Sequence, residues 1–121
     1  MWYSAHAIFY FKCETQDSFL THENIYLIQS NDEQDALAQA TFIAQSNEEM
    51  NEDGHLQLNG KPAQYLFAGI RKVVAVELTP DTAKDRIVSG LEVTYSELEV
   101  DTLEDINRLV NGDFVKVLYR E

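Results

Sequence analysis

At 121 residues, 45% of them hydrophobic, the chain makes one domain that can bury a core without disulfides or a structural metal, since a domain this size hides roughly two-thirds of its unfolded surface. Its formal net charge is −12, and from Cys13 to Gly60 there are ten acids and no lysine or arginine. Nucleic-acid binding needs clustered cations, and anionic lipid repels the same charge, so neither nucleic acid nor a membrane is expected as a partner. The single cysteine excludes an internal disulfide; with no apolar run of about 18 residues and no secretory-leader pattern, the expected compartment is the cytoplasm.

The opening stretch, WYSAHAIFYFK, alternates as a strand does. Tyr3, Ala5, Ala7, Phe9 and Phe11 form an apolar face, and Trp2, Ser4, His6, Ile8, Tyr10 and Lys12 a mixed one. A polar turn or hairpin loop is expected over CETQDSFLTH, then a second, antiparallel strand over ENIYLIQS. Ser30 stands three residues before Glu33, a capping-box spacing, and Ala36, Leu37, Ala40, Ile43 and Ala44 recur at helical intervals. Asp32, Glu33 and Asp35 suit the positive end of that helix.

SNEEMNEDG reads as an acidic loop, followed by a short strand, an Asn59-Gly60 turn and a long or bent strand. Pro62 belongs at an edge or before regular pairing begins, and Gly69 at a bulge or a close backbone approach. TPDTAKD is expected to be a surface turn, GLEVTYSELEV a strand, TLEDINRLV a short helix closed by Asn111-Gly112, and FVKVLYRE the last strand. The order predicts an α+β domain: a mainly antiparallel sheet of five to six strands, with one main and one short helix packed on one face.

At WYSAHAIFYFK, ENIYLI, GKPAQYLFAGIRK, LEVTYSELEV and the closing LVNG-x-x-V, the chain resembles a bacterial family known as domain of unknown function 4288. The resemblance covers most of the chain through strand and turn patterns. It implies a compact stand-alone domain and transfers no catalytic residue.

Reactive constellations are weak. Glu49, Asn51, Asp53 and Gly54 occupy the first, third, fifth and sixth positions of an EF-hand-like loop, but Gly60 stands where the twelfth-position glutamate should be. His6, His22, His55 and Cys13 lie on separate elements without metal-site spacing. Cys13 lacks a neighbouring base, and there is no phosphate-cradling glycine loop or nucleophile elbow. No catalytic residue, metal or cofactor is therefore expected.

The binding candidates are Trp2, His6, Tyr10, Tyr26 and Arg71. Arg71 and Lys72, consecutive on a strand, should point to opposite faces. If Arg71 shares a face with the aromatics it makes a stacking, charge-assisted site for an anionic or planar ligand or a protein anchor; otherwise it is a structural arginine paired to Glu23 or another acid. The favoured function is a non-enzymatic interaction or regulatory module for a basic protein partner, such as an inhibitor or immunity-type protein. The alternative is a small-ligand domain or minor enzyme using the mixed face of the first strand. Aromatics on both faces of that strand exceed what one helix covers, which points to a homodimer.

Overall fold

The computed structural model describes residues 1–77 and 89–120; the turn expected over TPDTAKD lies outside them. The elements in chain order are β1 (Trp2–Cys13), β2 (Phe19–Gln29), α1 (Glu33–Ser46), β3 (Gln57–Leu58), β4 (Lys61–Val76), β5 (Leu91–Val100), α2 (Leu103–Asn111) and β6 (Val117–Arg120). The six strands form a sheet in the order β3-β4-β1-β2-β5-β6, with every neighbouring pair antiparallel. This is the expected α+β fold with a main and a short helix. The second strand begins at Phe19, so FLTH belongs to β2 and not to the turn.

The helices depart from the expectation: they pack on opposite faces of β1, not on one. Ala36, Ala40 and Ala44 of α1 are buried against Tyr3, Ala5, Ala7, Phe9, Tyr26 and Ile28. A stripe of alanines lets the helix approach aromatic side chains closely, so the large residues of this core come from the sheet. On the other face Ile106 and Leu109 of α2 pack on Ile8, Leu98 and Val100. The approach is close enough to require a glycine. A Cβ built on Gly69 would lie 2.5 Å from Val110 Cγ1, and Gly69 is aligned with Ile8 in the β1–β4 register. Alternation marks the second face of β1 as mixed, and nothing in it says that a second helix of the same chain covers it.

The caps follow local chemistry. The N-cap of α1 falls two residues after Ser30: Asp32 accepts from the Asp35 amide at 2.7 Å. Ser30 Oγ instead donates to Asp35 Oδ2, tying the strand end to the first turn. Thr102 caps α2 by accepting from the Asp105 amide, and Gly112 closes it with φ +75°, the left-handed conformation that favours glycine. Asn59 and Gly60 both have positive φ, as the two-residue β3–β4 hairpin requires. Pairing of β4 with β1 begins at Ala63, immediately after Pro62.

Three bulges decide which side chains share a face. In the β1–β4 register His6 faces Lys72 while Ala7 faces Ile70, leaving Arg71 extra; Ile8 faces Gly69 while Phe9 faces Phe67, leaving Ala68 extra. In the β2–β5 register Ile25 faces Thr94 while Tyr26 faces Glu92, leaving Val93 extra. Each extra residue resets the alternation that follows it.

Candidate functional site

The five residues singled out from the sequence do not converge. Trp2 and Tyr10 lie on one face of β1, but eight residues of strand separate them by about 26 Å. Tyr10 packs edge-on against Phe19, with ring centroids 5.8 Å apart, beside the α2 core. Tyr26 is opposite Ala5 in the register and buried under α1, on the other face from His6. Only His6 and Arg71 meet. Glu23 Oε2 lies 2.7 Å from His6 Nδ1, and Glu23 Oε1 lies 3.5 Å from Arg71 Nε. Arg71 thus has the structural partner that the sequence raised as its alternative role, and the carboxylate is shared between two cationic or donor groups.

The bulge also corrects the expectation that Arg71 and Lys72 point apart. Ile70 and Val73 both pack into the α1 core, so the two residues between them project to the opposite side. Arg71 reaches Glu23 on that side, although both residues also border a hollow with Glu33, Gln34 and Leu37 of α1.

That α1 face carries a hollow. His22, Asn24, Tyr26, Asn47, Tyr65, Gly90, Glu92 and Tyr95 line a cavity of about 510 Å3, open to solvent, beyond the C-terminal end of α1. The register explains the grouping: His22 faces Phe9 and Asn24 faces Ala7 on β1, while Asn24 faces Tyr95 and Tyr26 faces Glu92 on β5. Simple alternation would put Glu92 and Tyr95 on opposite faces. The extra Val93 between them places both on the α1 side.

Hydrogen bonds fix the floor. Asn24 Nδ2 donates to the Tyr65 phenol oxygen at 3.1 Å, and the same oxygen lies 2.9 Å from His22 Nδ1. Glu97 Oε1 lies 3.5 Å from His22 Nε2 and can only accept, so the neutral imidazole carries its proton on Nε2 and its Nδ1 accepts from the Tyr65 hydroxyl. Asn47 Nδ2 donates to the Tyr26 hydroxyl at 2.9 Å. The Tyr65 ring stacks flat on Phe9, with centroids 4.8 Å apart.

Burial dominates the ionisation of these groups. It pushes the Tyr65 and Tyr26 phenols above their ordinary range. It also holds His22 below the usual histidine value, against the opposing pull of Glu97. Near neutral pH the floor is therefore two phenols and an uncharged imidazole. Glu92 is raised by partial desolvation, and with Glu97 it supplies the negative charge at the site. Among the described residues no lysine or arginine lines the hollow.

The acidic loop after α1 is closed by its own asparagine. Asn51 Nδ2 donates to the carbonyls of Leu56 and Ala63, and its Oδ1 accepts from the Leu56 amide. His55 pairs with Asp53. Among the described residues no group of three or more His, Cys, Asp or Glu side chains is placed to hold a metal ion, and none of the helices is long and apolar enough to cross a membrane.

A family model described as Domain of unknown function (DUF4288) matches residues 2–94. The chain belongs to this family. The matched DUF4288 segment contains β1 to β4 and the hollow residues from His22 to Glu92, while Tyr95, α2 and β6 follow it. No curated protein and no solved structure matches the chain.

Of the hollow, sequence reasoning had singled out Tyr26 alone, and for a different face. The signal for the remainder was the run His22, Asn24, Tyr26 at every second position of β2, a polar-tipped stripe on a face otherwise built for a core.

Proposed function

We propose that this DUF4288 protein is a non-enzymatic interaction module whose α1 face takes a basic protein partner. The observation that carries this reading is the segregation of charge. α1 and the loop after it present Asp32, Glu33, Asp35, Glu49, Glu52 and Asp53 with no lysine or arginine among residues 13–60, and the adjoining hollow adds Glu92. The Arg71 guanidinium is paired with Glu23 on the other face of the sheet. A one-sign surface accelerates encounter with an oppositely charged partner and makes binding sensitive to salt. The chemistry of the hollow agrees with binding. Phenols held protonated and a neutral imidazole satisfied on both nitrogens are poor nucleophiles and bases.

The second reading, a small-ligand domain, is favoured by the concavity of the same hollow and not by the mixed face of β1, where His6 and Arg71 share the Glu23 carboxylate. Self-association belongs to the first reading as well. β6 leaves one sheet edge unpaired among the described residues, with Leu118 and Tyr119 exposed, so a homodimer would pair along that edge.

Affinity capture from an extract of the protein's own cells tests the basic-partner reading. The immobilised chain should retain a basic protein at about 50 mM salt and release it at about 500 mM, as screening predicts. A variant combining Glu33→Gln and Glu52→Gln should retain less. Recovery of no basic protein at low salt would remove the reading.

A further inference from the structure

The hollow offers a donor-rich cation an unusually complete set of partners. Its floor presents the phenol oxygens of Tyr26 and Tyr65 and the side-chain amides of Asn24 and Asn47. Tyr95 forms part of its wall and is 54% exposed, its ring tilted against that of His22 with centroids 5.3 Å apart. Glu92 is set two register positions along β5 from Tyr95, on the same face because of the Val93 bulge.

Ligand classes separate on charge and shape. An anion meets Glu92 and, beside His22, Glu97, with no compensating cation among the described lining residues. A neutral group leaves the Glu92 carboxylate without a counter-charge in a partly desolvated place. An ammonium group answers the charge but has no flat face for the Tyr95 ring. A guanidinium group answers both: it stacks on an aromatic face, and its five fixed N–H donors reach a carboxylate and phenol oxygens at once.

The geometry points to the hollow as a guanidinium site, with the cation laid against the Tyr95 ring and its N–H groups directed to Glu92 and the phenol oxygens of the floor. This deepens the basic-partner reading and rests on it, since an arginine side chain is the commonest guanidinium that a basic protein presents. The cavity of about 510 Å3 is larger than one guanidinium, so the group enters on an arginine of a polypeptide or on a small free arginine derivative.

The test uses the full chain at constant pH, following the His22 imidazole signal by NMR, one of three histidines in the chain. The probes are N-acetylarginine amide, its lysine and citrulline counterparts, and a short glycine-flanked arginine peptide. The arginine amide should move the His22 signal saturably, and citrulline, which has the shape without the charge, should bind at least about tenfold more weakly. Lysine should fall between them. Glu92→Gln and Tyr95→Ala should each weaken arginine binding about tenfold, while Tyr95→Phe retains it. A peptide that binds more tightly than the amide assigns the group to a polypeptide; equal binding assigns it to a free molecule. Citrulline binding as tightly as arginine, no effect of Glu92→Gln, or no saturable shift would each overturn the proposal. If Glu92→Gln leaves arginine-amide binding unchanged while the chain still captures a basic protein at low salt, the guanidinium site has failed while the basic-partner reading stands.

Discussion

A single methyl group added at Gly69 should destabilise this protein more than almost any other small substitution. Its Cβ would stand 2.5 Å from Val110 Cγ1, an overlap of about 1 Å relative to ordinary carbon contacts. Overpacking of that kind costs about 1–3 kcal/mol, and the backbone at φ +156° adds strain on the order of 1 kcal/mol for an L side chain. Gly69→Ala is therefore expected to cost about 2–4 kcal/mol in urea unfolding with an unchanged slope. Val110→Ala removes both γ-methyls and leaves its own Cβ 3.7 Å from the new group, which is ordinary contact. Alone it should cost about 1–2 kcal/mol through lost packing. Combined with Gly69→Ala it should relieve the clash, so the double variant is less destabilised than the two single costs added together by about 1–3 kcal/mol. Additive costs, or a Gly69→Ala chain as stable as the parent, would refute the packing of α2 onto the face of β1 opposite α1.

Stability should fall in mild acid because of His22. Its folded value lies below its unfolded one, so the folded state binds fewer protons. The contribution is complete above about pH 6.5 and is lost as pH drops through that value toward the folded one. Thermal unfolding between pH 7.5 and 5.5 should show this decline and a shallower one for His22→Gln; identical slopes would exclude the mechanism. Glu23→Gln should cost about 1–3 kcal/mol, because it strips a half-shared carboxylate from His6 and Arg71. A change below about 0.5 kcal/mol in urea unfolding would mean solvent already screens the cluster. Light scattering should give about twice the 13.9 kDa chain mass at high concentration, and Leu118→Lys should shift it toward monomer; a strict monomer at every concentration contradicts the β6 pairing.

The elements were legible in the sequence because each has a local cause. The Tyr3-to-Phe11 alternation marks β1, the alanine spacing marks α1, Asn59-Gly60 marks a hairpin, and Thr102 with Gly112 brackets α2. The assignment of side chains to faces was not legible, because a period of two presumes an unbroken ladder. Arg71, Ala68 and Val93 are extra residues in three registers, and of these only the first two have a visible flag, the neighbouring Gly69. Nothing in LEVTYSE announces that Val93 will be skipped. Alternation consequently separated Glu92 from Tyr95 and Arg71 from Lys72, when the sheet joins each pair on one face. The mixed face of β1 carries aromatics, yet Tyr10 packs half-buried beside α2, and His6 is held by Glu23. The polar stripe of β2 is not legible as a site, because the partners of Tyr26 and Asn24, Asn47 and Tyr65, arrive from distant parts of the chain.

Which face meets a partner can be measured directly by placing a photo-crosslinking aromatic residue at position 95 in one chain and at position 2 in another, then irradiating each in its own cells. The residue at 95 keeps a ring at the wall of the hollow, while the residue at 2 samples the far face of β1. A basic protein should be covalently trapped from position 95, and its yield should fall when Glu92→Gln is added. Trapping from position 2 alone, or of no basic protein from either, would contradict a basic-partner site on the α1 face.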